Sequence, residues 1–195
     1  MKIVDHWLDT ATRITLPGRG NMPTRRFLVQ HATEGWADGV EVMRSRNVSA
    51  HFLIQRDGQI IQCVPCNQIA YHAGRSQWRD PNTGKMYDGL KSCSIGIKHA
   101  NIMDLERENY PSTMGAMAGK PIPRVTINGK KWEIYTEAQL AASEALSKVL
   151  VEHYHLDDIV GHRDISPGRK SDPGDAYPLA RIRQVCGFTK PLAHL

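Results

Sequence analysis

The sequence predicts an α/β fold: a single domain with a central mixed β-sheet flanked by helices. Three observations carry this expectation. Short apolar runs rich in β-branched residues are bounded by turn residues. Two of these runs flank an Asp-Gly pair, a strong hairpin signal. One long segment late in the chain carries a helical apolar stripe behind a helix-start signal. A chain of 195 residues has room for one domain with a single core. The core is expected over about residues 26–185, with residues 1–22 and 187–195 as extensions.

In chain order, Phe27-Leu28-Val29-Gln30-His31 reads as a strand, preceded by the turn-prone Gly20-Asn21-Met22-Pro23. A helix is expected around residues 40–46, since the stretch from Trp36 to Met43 carries apolar residues at mixed spacing. His51-Phe52-Leu53-Ile54 and Gln59-Ile60-Ile61-Gln62-Cys63 flank Arg56-Asp57-Gly58 and form a hairpin. Ser94-Ile95-Gly96-Ile97-Lys98 reads as a central strand. The best helix covers residues 136–154. Thr136 and Gln139 match a capping box, and Leu140, Val149 and Leu150 form a stripe with Ala141, Ala145 and Leu146 beside it. Asp158-Ile159-Val160 is a brief strand ending at Gly161-His162. Residues 75–92 and 109–131 read as long loops, of the kind that shape a binding cleft.

Composition narrows the function. Hydrophobic residues make up 41% and charged residues 23%, ordinary for a globular protein. The formal net charge of +5 is spread along the chain rather than bunched. A nucleic-acid binder is expected to show a dense Lys/Arg stripe with interleaved aromatics, so no nucleic-acid partner is expected. The mild positive balance suits an anionic partner. No apolar run approaches the roughly 20 residues of a membrane span, so no membrane partner is expected. Acidic and polar residues occupy the N-terminal stretch where a signal peptide is apolar, which points to a cytoplasmic protein. Cys63 and Cys66 form a CxxC on a strand with no second pair to complete a metal knot. They read as buried free thiols.

Two places concentrate chemistry. His31 closes a buried strand, although a lone strand-end histidine is more often structural. The segment Gly161-His162-Arg163-Asp164 through Lys170-Ser171-Asp172-Pro173-Gly174 packs a histidine, acids and a lysine into a loop punctuated by Pro and Gly. Two histidines and a carboxylate from separate segments make a catalytic zinc ligand set with one position open. Such a set activates water near neutral pH, and Lys170 would stabilise the oxyanion formed as an amide carbonyl is attacked. Spacing alone leaves a structural reading of these residues open.

Five ordered landmarks add to this. They are Val29-Gln30-His31-Ala32-Thr33; Ser49-Ala50-His51-Phe52-Leu53-Ile54 with Arg56-Asp57-Gly58; Ala70-Tyr71-His72-Ala73-Gly74; Ser94-Ile95-Gly96-Ile97; and Gly161-His162-Arg163-Asp164 through Gly174. Together they cover residues 27–183, and the chain resembles the zinc-dependent N-acetylmuramoyl-L-alanine amidases. That family includes cell-wall recycling enzymes, phage endolysins and peptidoglycan recognition proteins. The resemblance implies a Zn²⁺ site in a surface cleft, with His31, His162 and Asp172 as ligands and Lys170 polarising the substrate carbonyl. It implies that His72 lines the substrate cleft with Trp78 beside it, and that Asn101 contacts peptide. The expected partner is peptidoglycan or a muropeptide, and oligomeric state stays open. Arg163 and Asp164 are expected to brace the loop.

The chain departs from the family pattern at one telling place. After Ser-Ile-Gly-Ile, recycling-type relatives carry a glutamate that serves as general base. Here that position is Lys98, followed by His99. An ammonium with an ordinary pKa of about 10.4 cannot take a proton at neutral pH. Relatives that use a tyrosine before the second strand's His-Phe have Ala50 as its counterpart here. Strand alternation points His99 away from the face that carries Lys98. Lys98 is therefore expected at the reacting centre, either as a neutral amine or as a second cation. Three readings follow: an amidase with altered proton handling; a catalytically impaired or engineered form that binds zinc and muropeptide without efficient turnover; and a recognition module. Intact zinc ligands argue against the recognition module, and the amidase is favoured because zinc-activated water and Lys170 supply catalysis without the glutamate.

Overall fold

The computed structural model describes residues 1–35, 39–106 and 123–192. Its centre is a six-stranded mixed sheet of β1 (Thr12–Arg13), β2 (Phe27–Ala32), β3 (Phe52–Ile54), β4 (Ile60–Gln62), β5 (Ser94–His99) and β6 (Asp158–Gly161). The spatial order is β6-β2-β5-β3-β4-β1. β6, β2, β5 and β3 run parallel, β3 and β4 form the antiparallel hairpin expected at Asp57-Gly58, and β1 runs parallel to β4. Every residue of β2 is buried, as a central parallel strand covered on both faces requires.

Alternation along β2 and β5 divides the core. Leu28, Ile95 and Ile97 pack with Leu140, Leu146 and Leu150 of the long helix α2 (Glu137–Tyr154). Phe27 and Val29 point to the other face, where Ala73, Trp78, Leu90, Val160 and Ile165 complete a second cluster. His31 follows Val29 on that second face. Lys98 pairs with His31 across the strands. The carboxyl ends of β2, β5 and β6 thus meet on the side away from α2, the usual place for a site on an open α/β sheet.

Two shorter helices border this side: α1 (Gly39–Ser45) and α3 (His162–Ile165). α4 (Leu179–Val185) packs against α2 and β6. α2 begins as its sequence predicts: the Thr136 hydroxyl accepts from the Gln139 amide at 3.1 Å, and Gln139 Oε1 accepts from the Thr136 amide at 3.2 Å. The Thr136 hydroxyl also donates to the Arg56 carbonyl, tying the helix start to the β3–β4 turn. Arg56 in turn grips buried Glu133 through Nε at 2.6 Å and Nη2 at 2.9 Å.

Three regions differ from their sequence reading. Residues 75–92 are not a bare loop: Gln77–Arg79 pairs with Met86–Asp88, and Leu90–Ser92 forms a 3₁₀ turn. Trp78 and Leu90 need burial, and a hairpin supplies it. Within residues 109–131, Arg124–Ile127 pairs with Lys130–Glu133 about Asn128-Gly129. Both turn residues have positive φ, the conformation an Asn-Gly turn favours; residues 109–122 of that reading lie outside the described residues, as does Trp36. Residues 1–22 are not a detached extension, because β1 joins the sheet and Leu8, Leu16 and Met22 are buried. Cys63 and Cys66 are buried free thiols, and burial pushes Cys66 up to about 12. Among the described residues no helix is long and apolar enough to cross a membrane.

Removing the helix start tests how α2 is anchored. Thr136→Ala should lower unfolding free energy by about 1–2 kcal/mol in urea titrations, with an unchanged denaturant slope.

Candidate metal centre

His31 comes from the end of β2, His162 from the first turn after β6, and Asp172 from the loop beyond α3. All three are buried, and their ligand atoms lie within 4.8 Å of one another. Asp172 Oδ2 is 3.0 Å from His31 Nδ1, and Asp172 Oδ1 is 3.0 Å from His162 Nδ1. The loop is held from several sides. Gly161 donates its amide to Asp164 Oδ2 at 2.7 Å, which sets the first turn of α3 and so the direction of His162. The Arg163 amide donates to the Asp172 carbonyl at 2.9 Å, and the Tyr135 hydroxyl donates to the Pro173 carbonyl at 2.7 Å. The Arg163 side chain pairs with Asp175. Arg163 and Asp164 therefore brace the loop.

The protonation state suits a cation. Burial, reinforced by His162, pushes the His31 imidazolium down to about 3, so the ring is neutral. Asp172 is buried as well, and burial opposes charge on its carboxylate unless a cation compensates it. His162 Nε2 lies 3.3 Å from the Ala73 carbonyl, which can only accept. Its proton therefore sits on Nε2, and Nδ1 presents a bare lone pair to Asp172. A lone pair facing a carboxylate calls for a positive ion between them, and two imidazoles with one carboxylate are a fitting donor set for such an ion.

A cleft of about 290 Å³ opens beside the triad, lined among others by Glu34, Arg46, Lys98, Arg169 and Lys170. Four cations face one carboxylate there, so the cleft favours anionic ligands. Lys170 Nζ is 3.7 Å from Glu34 Oε1. Burial pulls the Lys98 ammonium below its ordinary value, opposed by Asp172 and Glu34. The structure thus brings Lys98, Lys170 and His72 together around the triad. Glu34 and Arg46 join the same cleft without any sequence signal; they lie just past β2 and α1, and only the fold makes them neighbours. Arg169 forms a wall, donating to the Ala73 and Arg75 carbonyls and to the Ser166 hydroxyl. Beyond that wall a second groove of about 740 Å³ runs between Arg75, Asp88, Lys91 and Pro167.

Two expected site residues take other places, and a third reaches the cleft with its nitrogens turned inward. Trp78 is fully buried in the core with Phe27, Val29 and Leu90, so it does not line the cleft; a large indole next to an apolar sheet face is drawn inside. Asn101 is also fully buried, and its amide is spent internally: Oδ1 accepts from the Met103 amide at 2.7 Å, and Nδ2 reaches the Glu133 carbonyl at 3.4 Å. It shapes a turn and offers nothing to a peptide. His72 lies at the cleft, but its ring nitrogens face His31 and the Ser94 carbonyl rather than open space. His99 points away from Lys98 as expected, with Nδ1 2.9 Å from the His31 carbonyl and Nε2 3.0 Å from the Ser143 hydroxyl.

The family model for N-acetylmuramoyl-L-alanine amidase matches residues 20–175, most of the chain and all three triad residues. The chain belongs to the N-acetylmuramoyl-L-alanine amidase family. Among curated members, the 1,6-anhydro-N-acetylmuramyl-L-alanine amidase AmpD of Escherichia coli K12 is 34% identical over 141 residues, covering 70% of this chain and 57% of that protein. AmiD of the same strain is 28% identical over 172 residues, covering 83% of this chain. The chain thus spans little more than half the length of these curated amidases. Among solved amidase structures, a selenomethionine AmpD derivative superposes with a TM-score of 0.68 at 25% identity, covering 95% of this chain and 99% of that one. Escherichia coli AmiD in complex with anhydro-N-acetylmuramic acid-L-Ala-D-gamma-Glu-L-Lys gives 0.63 at 29% identity, covering 84% and 58%.

Burial of neutral histidines also sets a pH response. His51 and His99 are each pushed down to about 4, chiefly by burial, whereas the unfolded chain protonates them near 6.5. Between those values the unfolded state binds more protons, so stability falls as pH drops through the window and is restored above it. The metal-free protein should therefore lose several kcal/mol between about pH 6.5 and pH 4, roughly 3 kcal/mol per histidine. Urea midpoints measured across that range would show it; a flat profile would contradict it.

Proposed function

We propose that the protein is a zinc-dependent hydrolase. Its substrate bond is the amide between N-acetylmuramic acid, or its anhydro form, and L-alanine of peptidoglycan or muropeptides. One observation carries the reading: a buried His31–His162–Asp172 triad, with both imidazole Nδ1 atoms turned to one carboxylate, beside a cationic cleft in a chain of this family. The AmiD structure with a bound anhydromuramyl peptide supports the substrate class. Peptide stems carry carboxylates, which the excess of cations in the cleft favours.

His31, His162 and Asp172 would hold zinc, which when bound supplies Lewis acidity toward a carbonyl and toward water. The rest falls to side chains of the cleft. Lys170 donates a hydrogen bond to the carbonyl oxygen as negative charge grows on it. Glu34 is the one carboxylate lining the cleft among the described residues, and it takes the proton released as water adds to the carbonyl carbon. It returns that proton to the departing alanine nitrogen. Lys98, in the position where a glutamate was expected, holds the carbonyl or a substrate carboxylate.

Lys98 also favours a second reading, in which zinc and muropeptide bind without efficient turnover. Mass spectrometry of an anhydromuramyl tripeptide incubated with the zinc-loaded protein and with Lys98→Glu separates the two. Release of peptide beginning at L-alanine by both proteins supports the amidase. Release by Lys98→Glu alone supports the second reading; release by neither overturns the active amidase, and failure of the protein to bind the tripeptide would then overturn the second reading too. In the active case, Glu34→Gln should lower kcat by about 10²–10⁴ with little change in zinc content. Lys170→Ala should lower kcat by about 10²–10³.

A further inference from the structure

The segment Tyr71-His72-Ala73-Gly74 lies against both candidate ligand histidines. The Ala73 carbonyl faces His162 Nε2 at 3.3 Å, and His72 Nδ1 faces His31 Nε2 at 3.0 Å. On its far side, His72 Nε2 is 3.3 Å from the Ser94 carbonyl of β5. A carbonyl only accepts, so His72 carries its proton on Nε2 and its Nδ1 is bare. A bare Nδ1 in turn requires the proton of His31 to sit on Nε2. His31 Nδ1 is then left with a lone pair directed at Asp172, the form a metal ligand must have. The chain of donors has one polarity, fixed at its end by a backbone oxygen that cannot be reversed.

Space for this chain is built into β5. A Cβ on Gly96 would stand 2.6 Å from His72 Cγ and Nδ1, so only glycine admits the ring. Gly96 is itself held by His51, whose Nδ1 accepts the Gly96 amide at 3.0 Å and whose Nε2 donates to the Gln68 carbonyl at 2.9 Å. The His51 and His72 rings meet edge to face at 5.7 Å, and those of His72 and His31 at 5.2 Å.

We propose that His72 is a positioning residue for the metal centre: through Nδ1 it fixes the tautomer and ring direction of His31 and so presents His31 Nδ1 to the ion. The proposal rests on the reading of His31, His162 and Asp172 as metal ligands. The outcome is independent of turnover, because metal affinity and ligand geometry are read directly. Outer partners of this kind are worth about 10–100-fold in metal affinity.

The test uses the metal-free protein, Zn²⁺ affinity by chelator competition, and the visible absorption bands of the Co²⁺ form. His72→Leu should weaken Zn²⁺ binding by about 10–100-fold and shift the Co²⁺ bands, whereas His72→Gln, which keeps an acceptor, should recover most of both. Parent-like affinity and bands in His72→Leu would overturn the positioning role alone. A parent that takes up neither ion would overturn the metal-centre reading, and the positioning role with it. Long-range ¹H–¹⁵N spectra of the parent histidines give the same answer without any variant. A proton on Nε2 of both His31 and His72 is expected; a proton on His72 Nδ1 would overturn the proposal.

Discussion

A carboxylate buried between two imidazoles sets the terms for everything around it. Asp172 lies in a place that disfavours charge, and His31 and His162 approach it at 3.0 Å with lone pairs that call for a cation between them. Such a group is tolerable only when its partners are fixed, since a lost partner leaves an uncompensated charge. The surrounding structure supplies that fixity. β2 and β6 lie side by side and deliver one histidine each, and the loop with Asp172 is tied to the Arg163 amide and the Tyr135 hydroxyl. Behind β2, His99 and Ser143 hold the His31 carbonyl against α2.

The cleft beside the triad distributes charge in an unusual way. Where the family pattern places an acid after Ser-Ile-Gly-Ile, a lysine stands, and the acid of the cleft enters from the turn after β2 instead. Glu34 faces Lys170 and lowers the cost of keeping Lys98 charged. The sum is a wall that is positive overall but holds one proton acceptor. A charge that enters a cleft from a turn in this way can be recognised only once the strands are placed together.

Much of the architecture was legible because local and global preferences agree. The capping box of Thr136 and Gln139, the Asp57-Gly58 hairpin and the apolar start of β2 each mean the same thing in isolation and in the fold. The triad was legible differently. His31 alone carried no weight, and the ordered motifs paired it with His162 and Asp172. The failures share one cause. Resemblance assigns Trp78 and Asn101 to the cleft by position alone, but side-chain direction depends on which face of a strand or turn they occupy, and both face inward. Asn128-Gly129 was a readable turn signal lost within a stretch taken whole as a loop. Glu34, Arg46 and Arg169 could not have been found, since a charged residue on a loop announces neither its neighbours nor the hollow it borders.

His31 and Asp172 stand 141 positions apart in the chain. The strand that carries His31 is in place early in the sequence, but its neighbour β6, the loop with Asp172 and the Ala73 carbonyl that orients His162 come from three distant stretches. Partial structures therefore offer an ion one or two donors and never the full set. An ion held there would couple its own capture to completion of the fold, a latch joining β2, its edge neighbour β6 and the loop with Asp172.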